Sequence, residues 1–174
     1  GTWVAIFGNG YNSTGSGNPS LYVVELATGN LIKRIEASRA SPWRDLLPNG
    51  LSSVAGWDAD FDGGVDYVYA GDLDGNMWKF LLTGATKSST AAMKVAFSGA
   101  PLLQIVNSDP DPDGFTLFIP ITGTPVVAVH PEGGQMVYFG NGIALDASHE
   151  SVVGDRGVFA IRDDKPSGDT YNPP

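Results

Sequence analysis

Three stretches of this chain follow one plan, and that plan restricts the fold more than any other feature. Trp3 to Phe7 is an apolar run ending at Gly8-Asn9-Gly10, and a second run returns from Ser20 to Ile32 after a Ser/Gly/Asn loop. Asp66 to Ala70 ends at Gly71-Asp72 and returns as Asn76 to Phe80. Gln135 to Phe139 ends at Gly140-Asn141-Gly142 and returns as Gly157 to Asp164. The corner glycines Gly8, Gly71 and Gly140 lie 63 and 69 residues apart. A unit of strand, glycine corner and strand buries both faces only by stacking on neighbours, which is how propeller blades are built.

Two more strand patterns, Leu51–Trp57 and Thr124–His130, precede the second and third units. Tyr22, Val24 and Leu26 alternate with Val23 and Glu25, the mark of a half-buried strand. Asp74-Gly75 between two strand patterns suits a type I′ hairpin turn. Ser38–Asn49, Lys87–Ala100 and Asn107–Gly114 read as irregular connections, and no stretch carries a sustained helical period. The expected fold is all-β, with one domain over residues 1–174 made of propeller-type blades of three to four strands each. Three blades make a partial propeller, because closed ones have about four to eight. The expectation is therefore a piece of a larger ring or self-association that completes one, since open sheet edges invite aggregation.

The run from Asp58 to Asp66 carries the chemistry. It reads Asp58-Ala59-Asp60-Phe61-Asp62-Gly63-Gly64-Val65-Asp66. A hard cation such as Ca²⁺ takes roughly six to eight oxygen ligands. Asp58, Asp60 and Asp62 at the first, third and fifth places can point inward, Gly63 permits a sharp turn, Gly64 offers a carbonyl, and Asp66 closes the set. Without a cation, four carboxylates this close repel one another. The loop is no EF-hand, because the twelfth place, where a bidentate Glu belongs, is Tyr69. Val65 to Ala70 is rich in β-branched and aromatic residues and reads as a strand, so the loop leads into one that starts at Val65. The calcium-binding loop is placed at residues 58–66. Asp109, Asp111 and Asp113 also alternate, but the place for a closing carboxylate is Leu117 and two prolines stiffen the run, so it reads as a solvated loop. Asp72 and Asp74 read as hairpin-turn residues.

Composition narrows the partners. Ten basic and 19 acidic residues give a net charge of −9, which argues against nucleic acid or an anionic membrane surface. There is no cysteine, so disulfides, thiolate catalysis and cysteine-ligated zinc are excluded. No apolar run is long enough to span a bilayer as a helix, and the first residues read as a strand rather than a signal peptide. Catalysis finds little footing. His130 and His149 are far apart, no Gly-x-Ser-x-Gly elbow exists, and Gly8-Asn9-Gly10 is not followed by a helix. The chain is expected not to be an enzyme.

These motifs resemble the PilY/PilC family of type IV pilus biogenesis factors. The resemblance rests on Asp58–Phe80, on Ile121-Thr-Gly-Thr-Pro125 with Val137–Gly142, and on Gly157–Asp164, and it corresponds to part of a C-terminal propeller. It implies a calcium loop with Asp58, Asp60, Asp62 and Asp66 as side-chain ligands and Gly64 as carbonyl ligand. It also implies a protein at the cell surface and pilus tip of a Gram-negative bacterium, reached through periplasm and outer membrane. Such a protein works with minor pilins, balances extension against retraction in twitching motility, and contributes to adhesion to host or other surfaces. The alternative is a calcium-stabilised propeller outside pilus biology that binds protein or carbohydrate ligands: integrin-α-like propellers carry similar acidic loops, typically in several blades, whereas one blade here has a full set. Quinoprotein-dehydrogenase propellers resemble Ala70–Phe80 and bind calcium with a quinone. The tryptophans that could stack on one (Trp3, Trp43, Trp57 and Trp78) read instead as blade-packing residues.

Overall fold

The computed structural model describes residues 1–11, 13, 15–38, 49–106, 119–142 and 156–164. The acidic run at Asp109–Asp113, together with Trp43 and His149, lies outside the described residues. Three antiparallel sheets account for every strand described. The first pairs β1 (Val4–Gly8), β2 (Ser20–Glu25) and β3 (Leu31–Glu36) in that order. The second runs β4 (Leu51–Trp57), β5 (Tyr67–Asp72), β6 (Asn76–Leu81) and β7 (Lys94–Val95), with β8 (Leu103–Gln104) also pairing β6. The third pairs β9 (Val126–Val129) and β11 (Val158–Asp163) on either side of β10 (Gln135–Gly140). A single 3-10 turn, Phe97–Gly99, is the one helical element among the described residues. The all-β, three-blade expectation holds, and the central blade has five strands rather than three or four.

The central sheet is the middle of a sandwich. Every residue of β5 and β6 is buried. Alternate residues of this hairpin serve opposite cores, as the two-residue period of a strand requires. Val68, Ala70, Trp78 and Phe80 pack with Leu21, Val23 and Ile35 of the first sheet. Tyr67, Tyr69, Met77 and Leu81 pack with Val137 and Phe139 of the third. This settles which face of β2 is inside. Leu21 and Val23 are buried and Leu26 is exposed, so the Tyr22–Val24–Leu26 face points outward, opposite to the simplest reading of its alternation. Trp78 has the packing role expected of it, whereas Trp3 is 83% exposed and packs against no blade among the described residues.

The β5–β6 turn also differs from expectation. Leu73 and Asp74 keep negative φ while Gly75 takes +77°. A type I′ turn needs positive φ at both central residues, which a leucine resists. The three-residue loop Leu73–Gly75 instead leaves the left-handed position to glycine, as in a type I turn followed by a bulge. A Cβ at Gly75 would lie 2.5 Å from the Ile105 carbonyl oxygen, so space and φ both demand glycine. Asp72 organises this corner from within. Its Oδ1 accepts the Asn76 backbone N–H at 2.9 Å, and its Oδ2 accepts Asn76 Nδ2 at 2.9 Å and Trp78 Nε1 at 2.8 Å. Asn49, reaching in from the start of β4, donates to Asp74 Oδ2 at 3.1 Å and accepts the Leu73 N–H at 2.8 Å.

A buried ion pair joins the second sheet to the third. Lys79 Nζ of β6 lies 2.6 Å from Asp163 Oδ2 of β11, and neither side chain is exposed. The Tyr69 hydroxyl donates to the same oxygen at 2.6 Å. The ammonium sits 4.1 Å from the Tyr67 ring centroid and 5.7 Å from that of Phe97, a cation–π setting. Burial pulls the Lys79 pKa down and the Asp163 charge opposes it. Burial, reinforced by Asp163, pushes the Tyr69 pKa up, so its proton stays to donate.

Both groups of buried polar residues can be tested by substitution. Removing one partner of a buried ion pair costs about 3–5 kcal/mol. Asp163→Asn keeps an acceptor for Tyr69, yet it should lower the urea midpoint sharply, and adding Lys79→Met should recover most of the loss. A single variant as stable as the parent would refute the role given to the pair. The second prediction concerns pH. Burial pushes Asp72 up to about 6 from 3.8, against the opposing hydrogen bonds of Asn76 and Trp78. Its protonated form is favoured in the folded state, so its contribution is full below the unfolded value and is lost as pH rises through about 6. Unfolding between pH 4 and 7 in chelator, compared with Asp72→Asn, should show this slope in the parent only. The variant should be less stable throughout, because its amide must turn a donor toward Asn76 or Trp78.

Candidate metal centre

The acidic run connects β4 to β5 inside the central blade, as its sequence context implies. Val65 and Asp66 precede the strand, which begins at Tyr67. The neck is closed by the Trp57–Tyr67 pair at the end of the β4–β5 ladder and by the Asp66 N–H donating to the Trp57 carbonyl at 2.9 Å. The loop's reversal uses two left-handed residues. Gly63, at φ +90°, is suited to it, and Phe61, at φ +62°, is not. A bulky residue at positive φ costs on the order of 1–2 kcal/mol. Phe61 is 74% exposed, and its ring meets Trp57 edge-on at 6.4 Å.

Carboxylates fold this loop by accepting its own amides. Asp58 Oδ2 takes the Gly63 N–H at 2.8 Å, Asp60 Oδ1 the Asp62 N–H at 3.1 Å, and Asp66 Oδ2 the Ala59 N–H at 2.8 Å. The bonds aim the three side chains at one another. One oxygen from each of Asp58, Asp60 and Asp66 falls within 4.8 Å of the others. Two oxygens on opposite sides of a Ca²⁺ ion stand about 4.6–5.2 Å apart, twice the usual Ca–O distance. Asp58 Oδ1 is buried and has no hydrogen-bond partner among the described residues. A buried acceptor left unpaired is costly, and a cation would satisfy it. The residues present therefore fit a hard, oxygen-seeking ion.

Asp62 stands apart from this trio. Its Oδ1 accepts the Gly64 N–H at 2.7 Å, which shapes the turn. Burial and then the Asp66 charge raise the Tyr67 pKa beside the neck. Asp72 and Asp74 belong to the β5–β6 corner, and His130 sits in the β9–β10 turn, where its Nδ1 accepts the Glu132 N–H at 3.1 Å. Sequence reasoning did not single out Asn49, the Lys79–Asp163 pair or Gln135. Lys79, Gln135 and Asp163 show in the sequence only as polar residues at strand positions, and Asn49 only as the end of a connection, which gives no indication of their partners.

Comparison with known proteins places these features in context. A family model described as the PilY1 beta-propeller domain matches residues 1–172. A type IV pilus biogenesis factor PilY1 homolog of Xylella fastidiosa is 44% identical over 147 residues, covering 82% of this chain and 10% of that protein. The type IV pilus biogenesis factor PilY1 of Pseudomonas aeruginosa is 33% identical over 156 residues, covering 82% of this chain and 12% of that protein. The chain thus spans about a tenth of the length of these relatives. The crystal structure of the Pseudomonas aeruginosa PilY1 C-terminal domain superposes with a TM-score of 0.80 at 29% identity, covering 98% of this chain and 37% of that one.

The crowded carboxylates carry a prediction of their own. Like charges about 4 Å apart repel by roughly 1–4 kcal/mol at a protein surface. Asp60→Asn keeps the oxygen that accepts from Asp62 and removes a charge. In chelator and low salt it should raise the melting temperature, with the gain fading in high salt. A lower melting temperature would mean that the carboxylates are not repelling.

Proposed function

The chain belongs to the PilY1 beta-propeller family, and from that premise we propose that it is the calcium-binding part of a pilus biogenesis factor that tunes extension against retraction. The carrying observation is the convergence of Asp58, Asp60 and Asp66, with the buried, unpaired Asp58 Oδ1 among their oxygens. Asp58, Asp60 and Asp66 would hold the ion directly. Asp62 and the Gly64 carbonyl complete the ligand set read from the sequence, Asp62 after its side chain turns from the Gly64 amide. Bound Ca²⁺ would supply positive charge that cancels the carboxylate repulsion and ties the loop's two ends together. Occupancy would then stabilise the folded blade by mass action. No catalytic role is proposed.

Two open faces support membership of a larger assembly. Phe7 and Tyr22 stack on the outer face of the first sheet, with ring centroids 5.7 Å apart. Val126, Tyr138 and Val158 are exposed on the outer face of the third. Further blades, in the same protein or in a second copy, would cover them. A position at the cell surface and pilus tip, contact with minor pilins, and adhesion to host or other surfaces are part of the same reading. Among the described residues, no helix is long and apolar enough to cross a membrane.

The test is a calcium titration by calorimetry with Asp66→Ala alongside, followed by pilus extension and retraction assays in cells. One-site binding lost in the variant, with altered motility, is the expected result. Loss of binding with unchanged motility would separate the ion from pilus control.

A further inference from the structure

The cation loop is held from outside its own sheet. Its neck consists of Trp57 and Tyr67, paired across β4 and β5, and both residues meet groups tied to the third blade. With the Gln135 amide oriented to suit its neighbours, Gln135 of β10 accepts the Trp57 indole N–H at 3.3 Å and donates to the Asp163 carbonyl oxygen at 2.9 Å. Tyr67 lies beneath the Lys79 ammonium, which is paired with the Asp163 carboxylate. Gln135 and Asp163 are themselves ladder partners, both more than nine-tenths buried. One buried corner of the third sheet therefore fixes the indole on one side of the neck and, through Lys79, the ring on the other.

We infer that Gln135 is a positioning residue for the cation loop, acting from the neighbouring blade through Trp57. This rests on the cation-binding reading above. The physical reason lies in how the ligands are carried. Asp58 follows Trp57 directly, and Asp66 precedes Tyr67 directly, so a backbone shift at either neck residue passes to a ligand residue one peptide unit away. Trp57 is only partly buried, and Phe61 packs on its edge. Without the bond to Gln135, its indole has more freedom to turn. By linkage, the effect is reciprocal: an ion that fixes the loop also fixes the indole against Gln135. The arrangement lets cation occupancy be felt across a blade-to-blade interface.

The experiment uses the intact protein and Ca²⁺ itself as the probe. Gln135→Met removes, at similar volume, both the acceptor for Trp57 and the donor to the Asp163 carbonyl, and Trp57→Phe keeps an aromatic ring while removing the indole donor and part of the ring volume. Phe159→Leu loosens the same sheet packing without touching the neck and serves as the control. Calorimetry should find calcium affinity lowered about tenfold in the first two, the low end for residues that orient metal ligands indirectly. The control should bind as the parent does. Hydrogen exchange in the parent should slow at Gln135–Val137 when calcium is added. Unchanged affinity in Gln135→Met and Trp57→Phe overturns the inference and leaves the cation site standing. Equal weakening in Phe159→Leu also overturns it, because general packing would then explain the loss. No calcium heat in the parent overturns the cation reading and this inference with it.

Discussion

A lysine with no exposed surface is tolerated in an apolar core only if its charge is answered there. Lys79 meets that condition with the carboxylate of Asp163 from another sheet and with the faces of Tyr67 and Phe97. Each ion loses several kcal/mol of hydration on burial, so the pair is a poor source of net stability. Its consequence is geometric. Moving β11 by one residue would turn Asp163 to the other face and take its carboxylate away from Lys79. The pair therefore fixes how the third blade seats on the second, and Tyr69 secures it by donating to the same oxygen.

The other blade contact is held differently. Between the first and second sheets the core is apolar, with Trp78 and Phe80 against Leu21 and Val23, and polar contacts cross at its rim, where Asn9 accepts the Leu51 N–H at 2.8 Å and Lys87 pairs with Glu25. Asp72 holds Asn76 and Trp78, while Asn49 ties the entry of β4 to Leu73 and Asp74. These groups lie on the same hairpin as Lys79 but serve the opposite face. The β5–β6 hairpin thus organises both interfaces, which explains why it is buried throughout while the outer sheets keep open faces. The acidic loop opens from this same sheet, at the end of β5 away from the Asp72 corner. A rigid, doubly covered sheet is a suitable base for ligands that must converge within a few ångströms.

Legibility in the sequence followed the range of the interaction. Strand–corner–strand units were readable because alternation and glycine corners are local. The acidic loop was readable because its carboxylates lie within nine residues and because Gly63 occupies the turn. Its finer geometry was less so. Asp62 has the spacing of a ligand, and its Oδ1 accepts the Gly64 N–H while the oxygens that converge belong to Asp58, Asp60 and Asp66, an arrangement made by loop conformation rather than spacing. The hairpin turn behaves alike. Asp-Gly suggested one turn type, and the leucine before it, with Ile105 packed close by, required another.

By itself, the sequence determined an all-β chain of three stacked units and a carboxylate loop between two strands, because period, turn chemistry and charge density are properties of neighbours along the chain. Only the tertiary structure decided which face of β2 is inside, that Trp3 lies in solvent while Trp78 is sealed, and that Lys79, Asp163 and Gln135 meet beneath the neck of the loop. Those outcomes depend on pairs far apart in the chain, such as Lys79 and Asp163, 84 residues apart. No local pattern encodes which polar residue will answer a buried charge, because that choice is made when the sheets pack and water is expelled between them.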